Sequence, residues 1–223
     1  MKLSVVITAF NESEKIADCL ESVKNLNSEI VVVDNGSTDN TIKIAQKYTK
    51  KIYSQKNDPQ NIDLQKNFGF TKAAGEWILS LDADEKITDE LCQEIKSILS
   101  QERLESGFFV ARKNILFGKW MQHTGWYPDY QLRLFKKGKA KFISKHVHEN
   151  MQIDGLTENL KEPLIHENYQ TISQFIKRNY LTYAPNEAQS LIDNGYKFSY
   201  FDVIWFPAKE FLSRFFAREG YKD

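Results

Sequence analysis

Trp77-Ile78-Leu79-Ser80-Leu81-Asp82-Ala83-Asp84 is the stretch on which the fold turns. An almost wholly apolar run reads as a strand buried on both faces, and two carboxylates at i and i+2 close it. One such acid is suited to hold a divalent cation and the other to reach a ribose hydroxyl, since Mg²⁺ prefers one or two carboxylates plus substrate phosphates. Asp-x-Asp is common on loops, so the pair alone is a weak sign. A second acidic strand end upstream, Val31-Val32-Val33-Asp34-Asn35-Gly36-Ser37, strengthens it.

The same alternation spreads outward. Leu3 to Thr8, Ile30 to Asp34 and Lys51 to Ser54 read as further strands. Helical periodicity separates them. Ile16, Leu20 and Val23 form one stripe, on a helix that Asn11 is expected to cap. Ile42 and Ala45 point inward on a helix from about Asp39 to Tyr48. Leu64 and Phe68 share a face between Asn61 and Ala74. Thr88 caps a helix whose stripe is Leu91, Ile95, Ile98 and Leu99. Apolar strands separated by helices imply a parallel sheet covered on both faces, with ligands bound beyond the carboxyl ends of the strands. Thr8, Asp34 and Asp82 fall there.

The second half differs. Gly107 to Leu116 and Tyr130 to Phe135 look like strands, and Lys136-Lys137-Gly138-Lys139 is a turn. Between the strands lies an aromatic loop with Trp120, His123, Trp126, Tyr127, Pro128 and Asp129. Thr171 to about Asn194 is helical again, with Ile172, Phe175, Ile176 and Tyr180 on one face. There is no internal repeat and no low-complexity linker. One continuous α/β domain is expected: a nucleotide-binding half over 1–105, an acceptor-side half over 106–170 and a helical appendage over 171–223.

Composition narrows the function. Lys+Arg and Asp+Glu both number 30 in 223 residues, so bulk electrostatic binding to nucleic acid is not expected. The two cysteines, Cys19 and Cys92, lie in predicted helices and read as small core residues of a reducing compartment. Met1-Lys2-Leu3-Ser4-Val5-Val6 enters a strand at once, without the apolar core of a signal peptide. No run of about 18 apolar residues exists to span a bilayer. These features set the expectation of a soluble, cytoplasmic protein. The segment 198–223 carries Phe198, Tyr200, Phe201, Trp205, Phe206, Phe211, Phe215, Phe216 and Tyr221, interleaved with Lys209, Arg214 and Arg218. Such a helix can lie in a membrane interface, here the inner face of the cytoplasmic membrane. It can equally pack on the body of the chain or on a second subunit, as in a homodimer.

Each candidate site residue has a plainer reading beside it. Asp34 can accept the imide N–H of a uracil, or be a turn acid capping the next helix through Asn35-Gly36-Ser37-Thr38. With Asp82 and Asp84 at another end of the same sheet, the nucleotide reading is favoured. Lys66, beside Asn67, can neutralise a diphosphate or contact the base, or be a solvated lysine. Asp129 follows Trp126-Tyr127-Pro128; it can be a turn acid after a proline, but the aromatic loop desolvates its carboxylate in part and suits it to take a proton. Trp126 and Tyr127 can stack on a sugar ring. His146, His148 and Glu149 form a polar cluster in which His148 can complete a metal shell, or in which the histidines are simply structural.

These residues resemble those of a known family. Val5-Val6-Ile7-Thr8-Ala9-Phe10-Asn11-Glu12 is similar to the first-strand signature of family 2 glycosyltransferases of the GT-A fold. So are Val33-Asp34-Asn35-Gly36-Ser37-Thr38-Asp39, Lys66-Asn67-Phe68-Gly69 and Ala74-Gly75-Glu76-Trp77 through Asp82-Ala83-Asp84-Glu85. Gly118-Lys119-Trp120, Gly125 through Asp129, Arg133-Leu134-Phe135 and Val147-His148-Glu149 resemble the bacterial branch that includes lipopolysaccharide-core β-glucosyltransferases. The resemblance implies a Rossmann-like, mostly parallel sheet with an added mixed acceptor region and C-terminal helices. It implies inverting transfer from a UDP-sugar, with Mg²⁺ or Mn²⁺, to a glycan or lipid-linked acceptor. Carried over, Thr8, Ala9, Phe10, Glu12, Asp34, Lys66, Asp82 and Ala83 would line the donor site. Asp84 and His148 would ligate the metal, Trp126 and Tyr127 would hold the acceptor sugar, and Asp129 would be the general base. Asn35 stands where many members have a second acid, which leaves donor choice open.

Two other enzyme classes lack their signatures. A nucleotidyltransferase would show a Gly-rich loop after the first strand, and Thr8-Ala9-Phe10-Asn11 has no glycine. A dinucleotide oxidoreductase needs G-x-G-x-x-G. A non-catalytic sugar- or lipid-binding module on the same fold is the alternative from another class; it would need neither Asp84 nor Asp129.

Overall fold

β-Branched residues crowd the first strands, and the sheet they form has no wet face: Val5, Val6, Ile7, Val31, Val32 and Val33 are all fully buried. The computed structural model describes residues 2–58, 62–143 and 151–223. The chain divides into two units, Met1–Arg112 with Tyr130–His166, and Lys113–Asp129 with Glu167–Asp223. They interleave along the chain, where the sequence reading divides at 105 and 170.

The first unit is built on four parallel strands, β1 (Leu3–Ala9), β2 (Glu29–Asp34), β3 (Ile52–Ser54) and β4 (Trp77–Asp82). Helices α1 (Ile16–Val23), α2 (Thr41–Ala45), α3 (Ile62–Lys72) and α4 (Asp89–Ser100) accompany them. Alternation splits β1 between two cores. Leu3, Val5, Ile7 and Ala9 cluster with Ile16 and Leu20 of α1 and Leu91 and Ile95 of α4. Val6 joins Val31, Val33, Ile78 and Phe70 of α3 on the other face. Each such buried aliphatic side chain contributes about 1.5–3 kcal/mol. α3 sits close on the sheet because Gly69 lets it: a Cβ there would lie 2.6 Å from Val6 and 2.8 Å from Val33.

The remaining strands are β5 (Glu85–Lys86), β6 (Gly107–Leu116), β7 (Lys119–Trp120), β8 (Asp129–Lys136), β9 (Ala140–Lys141), β10 (Gln152–Ile153), β11 (Thr157–Asn159) and β12 (Leu164–Tyr169). The sheet runs β3-β2-β1-β4-β8-β6-β12-β5, with β7 and β11 beside β6, and β9 and β10 pair apart. β8 meets β4 antiparallel and β12 meets β5 antiparallel, so a parallel half continues into a mixed one, as expected from the sequence. β12 was not anticipated, because its Ile-His-Glu-Asn centre is only half-buried and shows no apolar alternation.

Two local expectations are corrected. Asn11 does not cap α1, which starts at Ile16; Asn11 takes a left-handed φ of 54° and its Oδ1 accepts the Thr38 N–H at 2.8 Å. α2 is a single short turn of helix, since Asp39 instead binds the Thr41 N–H at 2.9 Å and starts it late. Thr88 does cap α4, accepting from Leu91 N at 3.1 Å.

In the second unit, α5 (Ile172–Arg178) begins in a capping box of Thr171 and Gln174. A π-helical stretch, Asn179–Tyr183, leads to α6 (Ala184–Asp193); α7 (Asp202–Leu212) follows and continues as Ser213–Ala217. Phe175 packs edge-on against Phe117 and Tyr169. The Asp223 carboxylate accepts from Gln122 N and His123 N, both at 2.9 Å. Ile172, Ile176 and Tyr180 are exposed, as are Ile204, Trp205, Phe211 and Phe216 further along the chain. No helix among the described residues is long and apolar enough to cross a membrane.

The amino ends of the strands are tied by one acid. Buried Glu29 accepts from Ala74 N at 2.7 Å, from the Ser4 hydroxyl and from Lys51. Ser4 in turn accepts from Gly75 N at 2.8 Å. Burial pushes the Glu29 carboxyl up, but the Ala74 N–H, Lys51 and Ser4 outweigh it and hold it below its ordinary 4.5. A depressed carboxyl stabilises the fold above its unfolded value and loses that contribution as pH falls through the folded one. Glu29→Gln is expected to cost about 1–3 kcal/mol at neutral pH. The gap to wild type should close below pH 4.5 in urea melts; a gap that stays constant with pH would refute this role.

Candidate functional site

The site is assembled by register. Thr8 pairs with Asp82 across β1 and β4, and Ala9 pairs with Asp34 across β1 and β2. The carboxyl ends of three parallel strands therefore lie side by side, neighbours being about 4.8 Å apart. The ladder continues past them: Asn35 N donates to Ala9 O at 2.9 Å, and Ala83 N to Thr8 O at 3.1 Å. Thr8 and Ala83 are buried, while Phe10 is exposed.

The Gly36-Ser37-Thr38-Asp39 run stitches the loop after β2 to the loop after β1. Asn11 N donates to Ser37 Oγ, Glu12 N to Thr41 Oγ1 and Ser13 N to Asp39 Oδ2, all within 2.9–3.0 Å. Burial pushes the Asp39 carboxyl up, but Thr41 and Ser13 outweigh it and hold it at about 2. Asp34 is almost fully buried and accepts from Gly36 N at 3.0 Å and Ser37 N at 3.2 Å. The turn role considered for Asp34 is thus present.

Asp82 is gripped from two sides. Lys66 of α3 places Nζ 2.8 Å from Oδ1, and Arg133 of β8 donates to Oδ2 at 3.1 Å. Burial pushes the Asp82 carboxyl up, but Lys66 and then Arg133 outweigh it and hold it well below the usual carboxylate range. Lys66 is buried, which removes the reading of it as a solvated lysine. Its neighbour Asn67 clamps the Phe142 backbone, donating to the carbonyl at 2.8 Å and accepting from the N–H at 3.0 Å. Asp84 lies in the tight turn between β4 and β5. Its Oδ2 is 3.4 Å from His166 Nε2, with His166 brought alongside by the pairing of β12 with β5. Burial pushes Asp84 up, but His166 outweighs it and keeps the carboxyl below its ordinary 3.8. Glu85, fully buried, bonds Arg133. Burial, then Glu85, Asp84 and Asp82, push the buried Cys19 thiol up, so it is no nucleophile at neutral pH.

The proposed base sits in the second unit. Asn114 Nδ2 donates to Trp126 O at 2.9 Å and reaches Asp129 Oδ2 at 3.5 Å. Tyr127 meets Trp120 edge-on at 5.4 Å, and Lys113 lies 4.3 Å over the Trp120 ring. The structure thus brings Thr8, Ala9, Asp34, Lys66, Asp82, Ala83 and Asp84 together in one unit, and Trp126, Tyr127 and Asp129 in the other. His148 lies outside the described residues, as do His146 and Glu149.

Glu85, Arg133, His166 and Asn114 were not singled out as site residues. Glu85 follows directly on the acidic pair, and a buried-strand Arg such as Arg133 is a detectable anomaly. His166 carries no sequence signal, because only the antiparallel pairing of β12 places it.

Among the described residues no three His, Cys, Asp or Glu groups converge on a point that would cage a metal. Two carboxylates at a strand end fit Mg²⁺ or Mn²⁺ in the form that takes one or two acids and completes its shell with diphosphate oxygens and water. A cavity of about 630 Å³ lined by Gly75, Trp77, Lys136 and Lys137 lies at the amino end of β4, away from these groups.

The family model for glycosyl transferase family 2 matches residues 4–156. An uncharacterized glycosyltransferase of Rickettsia typhi is 30% identical over 241 aligned positions, covering 100% of this chain and 81% of that protein. The lipopolysaccharide core biosynthesis glycosyltransferase LpsC of Rhizobium meliloti is 28% identical, covering 99% of this chain and 82% of its own length. The S. aureus TarS structure in complex with UDP-GlcNAc is 26% identical with a TM-score of 0.45, over 52% of this chain and 35% of that one.

Proposed function

Since the chain belongs to glycosyltransferase family 2, we propose that it transfers a hexose with inversion from a UDP-linked donor to a hydroxyl of a glycan or lipid-linked glycan. Its mostly parallel sheet with C-terminal helices is the GT-A fold. The likeness to a lipopolysaccharide-core enzyme supports an acceptor of that kind. One observation carries the donor reading: acids at the ends of β2 and β4, the two parallel strands that flank β1, with buried Lys66 on Asp82.

In this reading the Thr8–Glu12 loop and Asp34 hold the nucleoside, and Lys66 and Asp82 face the diphosphate and ribose. The acceptor oxygen bonds to the anomeric carbon as the carbon–oxygen bond to the diphosphate breaks, and UDP departs. Asp129 takes the hydroxyl proton, with Asn114 orienting its carboxylate. Trp126 and Tyr127 offer ring faces for the acceptor sugar. A divalent ion held by Asp84 would offset charge on the departing diphosphate.

A thermal-shift screen of nucleotide sugars with Mn²⁺ tests the donor. At a hundredfold excess over Kd, binding to the folded state adds about 2.7 kcal/mol, which raises the Tm by about 5–10 °C for a chain of this size. UDP-sugars should give that shift, and absence of any shift would refute the donor assignment. Slow hydrolysis of the bound UDP-sugar is expected too, and its absence would favour a non-catalytic module.

A further inference from the structure

Arg133 and Glu85 form a closed ring with Asp82 that the proposed chemistry does not use. Both Arg133 and Glu85 are buried, with Glu85 fully inaccessible. Glu85 Oε2 accepts the Asp82 backbone N–H at 3.0 Å, and Glu85 Oε1 accepts from Arg133 Nη2. The same Nη2 donates to Asp82 Oδ2 at 3.1 Å. One acid therefore fixes both the main chain of residue 82 and the cation that contacts its carboxylate. Lys66 closes the other oxygen at 2.8 Å. A second guanidinium, Arg112, stands 3.9 Å from Glu85.

The physical need is plain. Asp82, Asp84 and Glu85 crowd three carboxylates into four residues, and an extended strand end would let the Asp82 side chain rotate among its staggered wells. A bridge through two separate hydrogen bonds selects one of them. Glu85 by contrast is reached by nothing that could be substrate, because no part of its side chain is accessible.

We propose that Arg133 is a positioning residue of the transfer reaction: anchored on Glu85, it presets the Asp82 carboxylate for the donor, an inference that rests on the UDP-sugar reading above. Its action is on donor binding, through Asp82, and stability is a separable consequence.

The separation gives the test. Arg133→Met leaves Glu85 buried without its main counter-charge and is expected to lower stability. Arg133→Met with Glu85→Gln removes both charges, and replacing a whole buried pair costs far less than breaking one. UDP affinity in the presence of Mn²⁺, read by calorimetry beside urea melts, is expected to fall about 10–100-fold in Arg133→Met. In the double variant stability should recover while the UDP affinity stays low. Arg133→Lys should regain part of the affinity. Recovery of affinity together with stability would overturn the proposal and leave Arg133 a purely structural residue. Unchanged affinity in Arg133→Met, where wild type binds UDP normally, would overturn it alone. A wild-type chain that binds no UDP would overturn the donor reading and this one with it.

Discussion

Asp129→Asn is expected to keep UDP affinity at the wild-type level and to lose about 10²–10⁴-fold in turnover, the usual contribution of a positioned general base. The carboxamide has the shape of the carboxylate and can keep the contact with Asn114, 3.5 Å away, after a flip of its own amide. What it lacks is an oxygen basic enough to take the acceptor proton. Donor binding does not involve that proton, so calorimetry with UDP should be unmoved while the transfer assay collapses. Unchanged turnover would remove Asp129 from the role. Loss of UDP binding along with turnover would show that Asp129 belongs to the donor side instead. Asn114→Ala is a useful companion, because it removes one contact to the Asp129 carboxylate without altering its charge.

Asp84→Asn is expected to abolish the Mn²⁺-dependent part of UDP binding, about a hundredfold in affinity, as loss of a charge-assisted contact of about 3 kcal/mol gives. The side chain is nearly buried and His166 holds it ionised, so a charged ligand is present across the whole range in which the protein would work. Calorimetry with and without Mn²⁺ reads the effect directly. Wild-type affinity that is the same in both conditions would overturn the metal assignment. Asp82→Asn should behave differently, since both its oxygens already contact cations of the chain. Its loss should fall mainly on nucleotide binding and only weakly on the metal dependence.

Residues alone made much of the parallel half legible. Strands buried on both faces favour apolar side chains on either side, so β1, β2 and β4 stand out as mostly apolar runs. The helix stripe of Leu91, Ile95, Ile98 and Leu99 is equally direct, and all four side chains are buried. Asn11 misled because an Asn before an apolar stripe suits a helix cap and a left-handed turn equally well. The contact that decides between them, with Thr38, comes from 27 residues away. Lys66 was ambiguous for the same kind of reason. A lysine in a helix is ordinarily solvated, and only the packing of α3 on the sheet drives it to Asp82.

Local pattern, then, determined the α/β class, the strand ends that carry Thr8, Asp34, Asp82 and Asp84, and the family resemblance, because hydrophobic period and turn chemistry act over a few residues. The ring of Glu85, Arg133 and Asp82, the pairing of His166 with Asp84 and the hold of Asn114 on Asp129 were decided by tertiary structure alone. Each brings in a partner at least 15 positions away across strand pairings or a loop return. A buried charge is tolerated only where such a partner arrives, and the partner's arrival is set by sheet order and register, which no short stretch of sequence encodes.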